Sequence, residues 1–385
     1  MENQKGVLSI LLMNLFIAFL GIGLVIPVLP TIMNELNISG TVVGYMVAAF
    51  AITQLIFSPI AGQWVDKYGR KIMIVVGLFI FGFSEFLFGY GKSVEVLFIS
   101  RMLGGVGAAF IMPAVTAFIA DITTTTNRSK ALGYMSAAIS TGFIIGPGIG
   151  GFLAEIGTRV PFYSAGVLGV LAGILSLVLL KEPERGEQEV PVFGQKTGLR
   201  RIFIPKYLIA FVIIFVLSFG LAAFESLFSL FVDHKFGFTP KDIAIVITGS
   251  GIVGAVAQIL LFDRLTKYMG EINLIRLSLG ISTILVLLMT FVSSYFSILL
   301  TTFVLFVGFD LIRPAVTSYL SKIAGNEQGF VGGMNSTFTS LGNIFGPIIG
   351  GVLFDINLNY PYYFAAIVLL IGTIIALFWK KPKNI

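Results

Sequence analysis

A chain of 385 residues that is 56% hydrophobic and only 11% charged, with a mean hydropathy of +0.97, cannot hide its apolar surface in water. Its formal charge is +6, and the absence of cysteine excludes a disulfide framework and a thiolate metal site. The sequence contains no Gly-x-x-x-x-Gly-Lys-Ser/Thr string, no metal-ligand cluster and no nucleophile with a nearby base, so nothing in it points to an enzyme, a cofactor or an ATP-driven pump.

Apolar runs of about 18 to 25 residues recur from end to end, each long enough to cross the ~30 Å hydrocarbon layer as a helix. They are continuous, whereas a closed barrel needs alternating strands of ~10 residues, so an all-α membrane protein is expected. The twelve expected spans are 7–30, 41–61, 72–90, 94–120, 131–154, 162–180, 206–231, 242–262, 272–292, 295–320, 330–354 and 361–379. Met1 to Lys5 lead into the first run without a small-residue cleavage pattern, so that span is expected to be retained.

Between the second and third spans lie Asp66, Gly69, Arg70 and Lys71. An excess of basic residues in cytoplasmic loops accounts for Arg70 and Lys71 but not for the acid four positions before Arg70. Arg101 lies two turns inside the fourth span, ~10 Å deep at 1.5 Å per residue. Glu85 and Glu95 lie near the outer ends of the third and fourth spans, where reaching out to water would suffice. Lys181 to Pro205 is charged and contains Gly and Pro, the composition of a linker. Glu225 falls in the outer part of the seventh span, and the single His234 stands beside Asp233 and Lys235 in an expected loop. Asp310 and Arg313, near the middle of the tenth span, share a helix face at i, i+3.

An ionisable side chain at the bilayer centre costs on the order of 2.5 to 3.5 kcal/mol on insertion scales, so it faces a cavity or a partner. One reading has Asp310 and Arg313 neutralise each other while Glu225 finds a hydroxyl or a headgroup. The other has Glu225 and Asp310 line a cavity as proton carriers and cation anchors.

Of the Lys and Arg residues, 18 fall in segments of one side and only 4 (Lys92, Arg159, Lys235 and Lys241) on the other. Both termini and the linker are therefore expected in the cytoplasm, in the plasma membrane. Topology and contact with anionic membrane lipid account for the basic balance, and nucleic acid need not be invoked.

The chain repeats itself. Gly142-Phe-Ile-Ile-Gly146-Pro147-Gly-Ile-Gly150-Gly151-Phe-Leu153 recurs as Gly342-Asn-Ile-Phe-Gly346-Pro347-Ile-Ile-Gly350-Gly351-Val-Leu353. Pro161-Phe-Tyr matches Pro361-Tyr-Tyr, and Pro113-Ala-Val-Thr116 matches Pro314-Ala-Val-Thr317. The glycines are also small residues of the kind that let membrane helices pack closely. Two six-helix bundles, 1–180 and 206–385, joined by a linker at 181–205, follow from the duplication, and parallel repeats of this sort hold substrate at their interface. Phenylalanine is abundant, 37 residues, so no stripe of it is informative alone. Phe143, beside the first repeated string, and Phe306 and Phe309, around Asp310, are singled out as cavity walls that would attract organic cations. Gln54, Asn335 and Asn343 could add hydrogen bonds there, although helix packing is the more ordinary role for each.

These strings resemble the major facilitator superfamily, and within it the twelve-helix drug:proton antiporters, across essentially the whole chain. Leu20-Gly21 with Pro27-Val28-Leu29-Pro30 resembles their first-helix signature, and Gly62, Asp66, Gly69, Arg70 and Lys71 the superfamily's loop between helices two and three. Leu97, Arg101, Gly105, Gly107, Ala108 and Ala109 resemble the fourth-helix proton-transfer motif, with Gly104 in place of the frequent Gln. The string from Gly142 to Leu153 resembles the antiporter motif of exporters. Ser218-Phe-Gly-Leu, Ala223-Phe-Glu225 and Gly308-Phe-Asp310-Leu-Ile-Arg313-Pro314 are similar to Gram-positive multidrug exporters of the Bmr and NorA kind. The second-half loop from Phe262 to Gly270 keeps charge and glycine but departs from the motif's spacing.

The resemblance implies a monomeric efflux transporter exchanging protons for small hydrophobic or cationic compounds. It also implies proton coupling by Arg101, which could equally be a structural hydrogen-bonder to carbonyls, and a gate in which Asp66 pairs across the bundle interface. A proton-coupled sugar or metabolite importer would concentrate more amides and hydroxyls in its core spans. A non-transporting sensor would not need embedded carboxylates.

Overall fold

The computed structural model describes residues 2–183, 205–324 and 328–379, so most of the expected linker, residues 184–204, lies outside the described residues. The described residues form helices connected by short turns, with no strand among them. In chain order these are α1 (Glu2–Val25), α2 (Leu29–Leu36), α3 (Gly40–Tyr68), α4 (Arg70–Tyr90), α5 (Val94–Ile122), α6 (Thr125–Ile156) and α7 (Val160–Leu179). They continue as α8 (Pro205–Phe236), α9 (Pro240–Met269), α10 (Glu271–Leu288), α11 (Tyr295–Ala324), α12 (Gln328–Ile356) and α13 (Tyr360–Phe378). Among the described residues, twelve stretches are long and apolar enough to cross a membrane. The first of them, Gly6–Leu36, takes in both α1 and α2.

That first span is longer than expected. Pro27 and Pro30 do not end it, because a 3-10 turn at Ile26–Val28 accepts Pro27 and the first turn of α2 accepts Pro30. Proline lacks only an N–H that a first turn leaves unpaired anyway. The second span also exceeds its expected end, since α3 runs on through Pro59 to Tyr68. His234, expected in a loop, lies in the last turn of α8, with Nδ1 3.0 Å from the Leu230 carbonyl.

The described residues divide into two compact units. Of the described residues, the first holds 2–38, 49–183 and 237–248; the second holds 39–48, 205–236, 249–324 and 328–379. These units differ from the halves expected from the repeat by trading two short segments, one at the start of α3 and one at the start of α9. Tertiary contacts explain both trades. Within the second unit the Gly40 and Thr41 amides donate to the Asp355 carboxylate at 2.6 and 2.8 Å, so α12 supplies the cap for the α3 N-terminus. Within the first, Lys241 pairs with Glu155 at 3.0 Å, and Gly151 packs against Ala244.

The repeated glycines perform the same task in each unit. A β-carbon at Gly142 or Gly146 would lie 2.7 or 2.6 Å from the Phe16 or Leu20 carbonyl of α1, and Gly150 lies against Leu24. On α12, Gly342 and Gly346 lie against the Phe219 amide and carbonyl of α8, at 2.6 and 2.7 Å from such a β-carbon, while Gly350 meets Leu227 at 2.9 Å. Pro147 faces Gly23 of α1. Spacing of four puts these glycines on one helix face, and without side chains there two backbones approach closely enough for dispersion to hold them. Gly151 and Gly351 point elsewhere, the latter onto the Gly40 carbonyl.

The first unit's core gathers Leu11, Leu15, Ile74, Leu78, Ile111, Val115 and Phe118 from α1, α4 and α5. Meanwhile Val178 is 72%, Ile259 79% and Phe378 80% exposed, the inverse of a water-soluble protein and the pattern of helices solvated by lipid.

Candidate functional site

In the second unit, α8 carries Glu225 and α11 carries Asp310 and Arg313. The carboxylates of α8 and α11 both lie within electrostatic reach of the Arg313 guanidinium and of each other. Glu225 and Arg313 are exposed, Asp310 is half-buried, and among the described residues no ion pair within 4.0 Å joins Asp310 to Arg313. On formal charges the cluster carries one net negative charge when both acids are ionised. It can therefore be neutralised by one proton or by one monovalent cation. Gly254 of α9 lies directly beside the Asp310 Oδ2 atom, where any β-carbon would overlap the carboxylate. Sequence reading missed this glycine, because the contact joins two helices far apart in the chain.

The three singled-out phenylalanines differ. Phe143 of α6 is 40% exposed, with its ring centroid 4.9 Å from that of Phe19. Phe306 of α11 is half-buried and meets Phe224 edge-on at 6.3 Å. Phe309 is only 2% exposed, because the α11 register turns it into the packing of the second unit, so it offers no free wall. Gln54, Asn335 and Asn343 are half-buried.

Arg101 of α5 lies in the first unit, its guanidinium 4.2 Å from the Phe88 ring centroid and 3.7 Å from Glu85. Glu85 does not reach out to water as expected. It is 2% exposed, because the register of α4 turns it inward toward α5. Neighbouring Gly105 and Gly107 close the packing, the first against Phe50 of α3 and the second against the Gly77 carbonyl of α4.

The loop between α3 and α4 is built around Arg70. It pairs with Asp121 at 2.8 Å and Asp66 at 3.3 Å and donates to the Val65 carbonyl at 3.1 Å. Asp66 thus has its partner on its own loop in this structure. Gly69 takes φ +107°, a region where a side chain is strained, and the Arg70 and Lys71 amides behind it donate to Glu182 at 2.6 and 2.9 Å. Asp121 and Glu182 were not foreseen. The corresponding second-half turn shares the left-handed glycine but not the contacts around it: Gly270 has φ +79°, and there Glu271 accepts from Lys322 and Ser318.

Twelve membrane-length stretches among the described residues, in a duplicated chain with a few charges embedded in them, have the architecture of a secondary transporter. The chain matches the Major Facilitator Superfamily over residues 11–234 and 210–385 and belongs to that superfamily, as a multi-pass membrane protein. It is 69% identical to Multidrug resistance protein 1 of Bacillus subtilis (strain 168) over 385 residues, covering 100% of this chain and 99% of that protein. With Quinolone resistance protein NorA of Staphylococcus aureus it shares 48% identity over 374 residues, 97% of this chain and 96% of that one. Among solved structures, a bacterial homologue of the human lysosomal transporter Spinster superposes with a TM-score of 0.84 at 16% identity, covering 98% of this chain and 97% of that chain. At that identity the likeness shows the fold alone.

Proposed function

We propose that this protein exports small hydrophobic and cationic compounds from the cell in exchange for protons, by alternating access. The observation that carries the reading is 69% identity along the full length to a protein named for multidrug resistance. The Glu225–Asp310–Arg313 cluster supports proton coupling, since its one net negative charge is satisfied by a proton or by a cation but not by both. Protons arriving from outside displace the cation and release it there; reopening inward lets them leave. Few fixed polar groups and aromatic walls at Phe143 and Phe306 suit many loosely matched ligands.

The duplication supports two six-helix halves, 1–180 and 206–385, with 181–205 as the connection, and one chain holding both halves is the working unit. The 18 to 4 asymmetry of Lys and Arg supports a plasma-membrane protein with both termini in the cytoplasm and basic segments against anionic lipid. Asp66, Gly69, Arg70 and Lys71 act as the cytoplasmic gate, with Asp121 and Glu182 holding it in shape. Arg101 and Arg313 take part in coupling.

Inverted membrane vesicles given an acidic interior should accumulate a lipophilic cationic dye, and a protonophore should abolish the accumulation. Uptake that ignores the protonophore and follows ATP or sodium would refute the proposal.

A further inference from the structure

Glu85, buried beside Arg101, is a carboxylate that the exchange reading leaves unused. Glu85 sits inside the first unit, with its Oε2 3.7 Å from Arg101 Nη2. That distance is beyond a hydrogen bond, and Oε2, Nε and Nη2 are all buried without a hydrogen-bond partner. A buried pair that serves only to hold helices is expected to be short, bidentate and fully satisfied, because desolvating two charges is otherwise uncompensated. Here the guanidinium rests on the Phe88 ring at 4.2 Å, a contact that remains whether or not the carboxylate is ionised.

Few other charges face this pair. The helices packed on α4 are α5, α7 and α1. From α5 the facing group is Arg101; Glu95, in the first turn, is exposed. From α7, Tyr163 donates to the Gly89 carbonyl at 3.1 Å, and Arg159, just before the helix, donates to that of Gly91 at 2.6 Å while pairing with Glu35 at 3.3 Å. Between Gly6 and Val25, α1 has no ionisable side chain.

We propose that Glu85 is a proton-binding group of the first unit, with Arg101 as its counter-ion, in addition to the carboxylates of the second unit. The proton comes from the aqueous phase and returns to it. Binding it neutralises Glu85 and leaves the Arg101 guanidinium held by Phe88 alone, free to turn to another acceptor; losing it restores the pair. The protonation state of a residue in one unit thereby becomes a change of position in Arg101. The functional part of this proposal rests on the proton-exchange reading; the protonation itself does not.

The test is an infrared pH titration of the full-length protein in lipid nanodiscs, in the double variant Glu225→Gln/Asp310→Asn. A buried carboxylic-acid band should appear on acidification, vanish when Glu85→Gln is added and shift in frequency with Glu85→Asp. The Glu85→Asp shift assigns the band should the Glu85→Gln triple variant fail to fold. In vesicles, Glu85→Gln alone should lose uphill dye export, and Glu85→Asp should recover part of it. A double variant with no such band, or one insensitive to residue 85, would overturn the proposal, as would a Glu85→Gln protein that exports like wild type. Export that proves not to be proton-driven would instead sink the exchange reading, while the band still decides the protonation of Glu85.

Discussion

Gly254 fixes where the Asp310 carboxylate lies, since a methyl group at 254 would occupy the place of Oδ2. Overpacking of this kind costs about 1–3 kcal/mol, so Gly254→Ala should move the carboxylate and weaken binding of a cationic dye more than of a neutral one, as read by fluorescence titration. The same titration against pH has a definite sign. If proton and cation compete as proposed, raising the pH removes the competitor, so cation affinity should rise with pH while that of neutral compounds stays nearly flat. Phe143→Ala and Phe306→Ala should change which compounds are exported more than the overall turnover, checked by resistance profiles at equal protein level. Phe309→Ala, being in the packing, should instead lower stability, by roughly 3–5 kcal/mol for a fully buried Phe. At this scale the sequence was only half legible. Depth along a span can be counted from residue numbers, which put Arg101, Glu225 and Asp310 inside their helices. Facing cannot be counted, so Glu85 was assigned to water and Phe309 to a cavity.

The two glycine-bearing helices show what a motif does mechanically. A β-carbon at Gly346 would meet the Phe219 carbonyl at 2.7 Å and the Ala223 amide at 3.0 Å, both backbone atoms that cannot yield. Gly346→Val should therefore lift α12 off α8 and cost at least about 1–3 kcal/mol, seen as a lower melting temperature in detergent and reduced folded yield. Gly62 in α3 meets nothing within 4 Å, so Gly62→Ala should leave stability unchanged or raise it, by up to about 1 kcal/mol. The duplicated string was plain in the sequence; its task was not, because a glycine says that something comes close without saying what. Pro27, Pro30 and Pro59 would break a soluble helix but occupy positions that a membrane helix tolerates, so they do not mark the span ends.

For the whole molecule, hydropathy and repetition carried most of the fold, since the bilayer permits few ways to satisfy a backbone. What they could not carry was packing at long range. Asp355 caps α3 across most of the chain's length, and no periodicity reveals a partner of that kind. In the proposed exchange, cation and proton compete for the same carboxylates and so move in opposite directions. The direct measurement is interior pH in voltage-clamped proteoliposomes loaded with a cationic dye and no initial pH gradient. Dye efflux should draw protons in and acidify the interior with the wild-type protein, and should not do so with the Glu225→Gln/Asp310→Asn variant. Dye efflux through the wild-type protein without any pH change, or equal acidification by the double variant, would contradict the account.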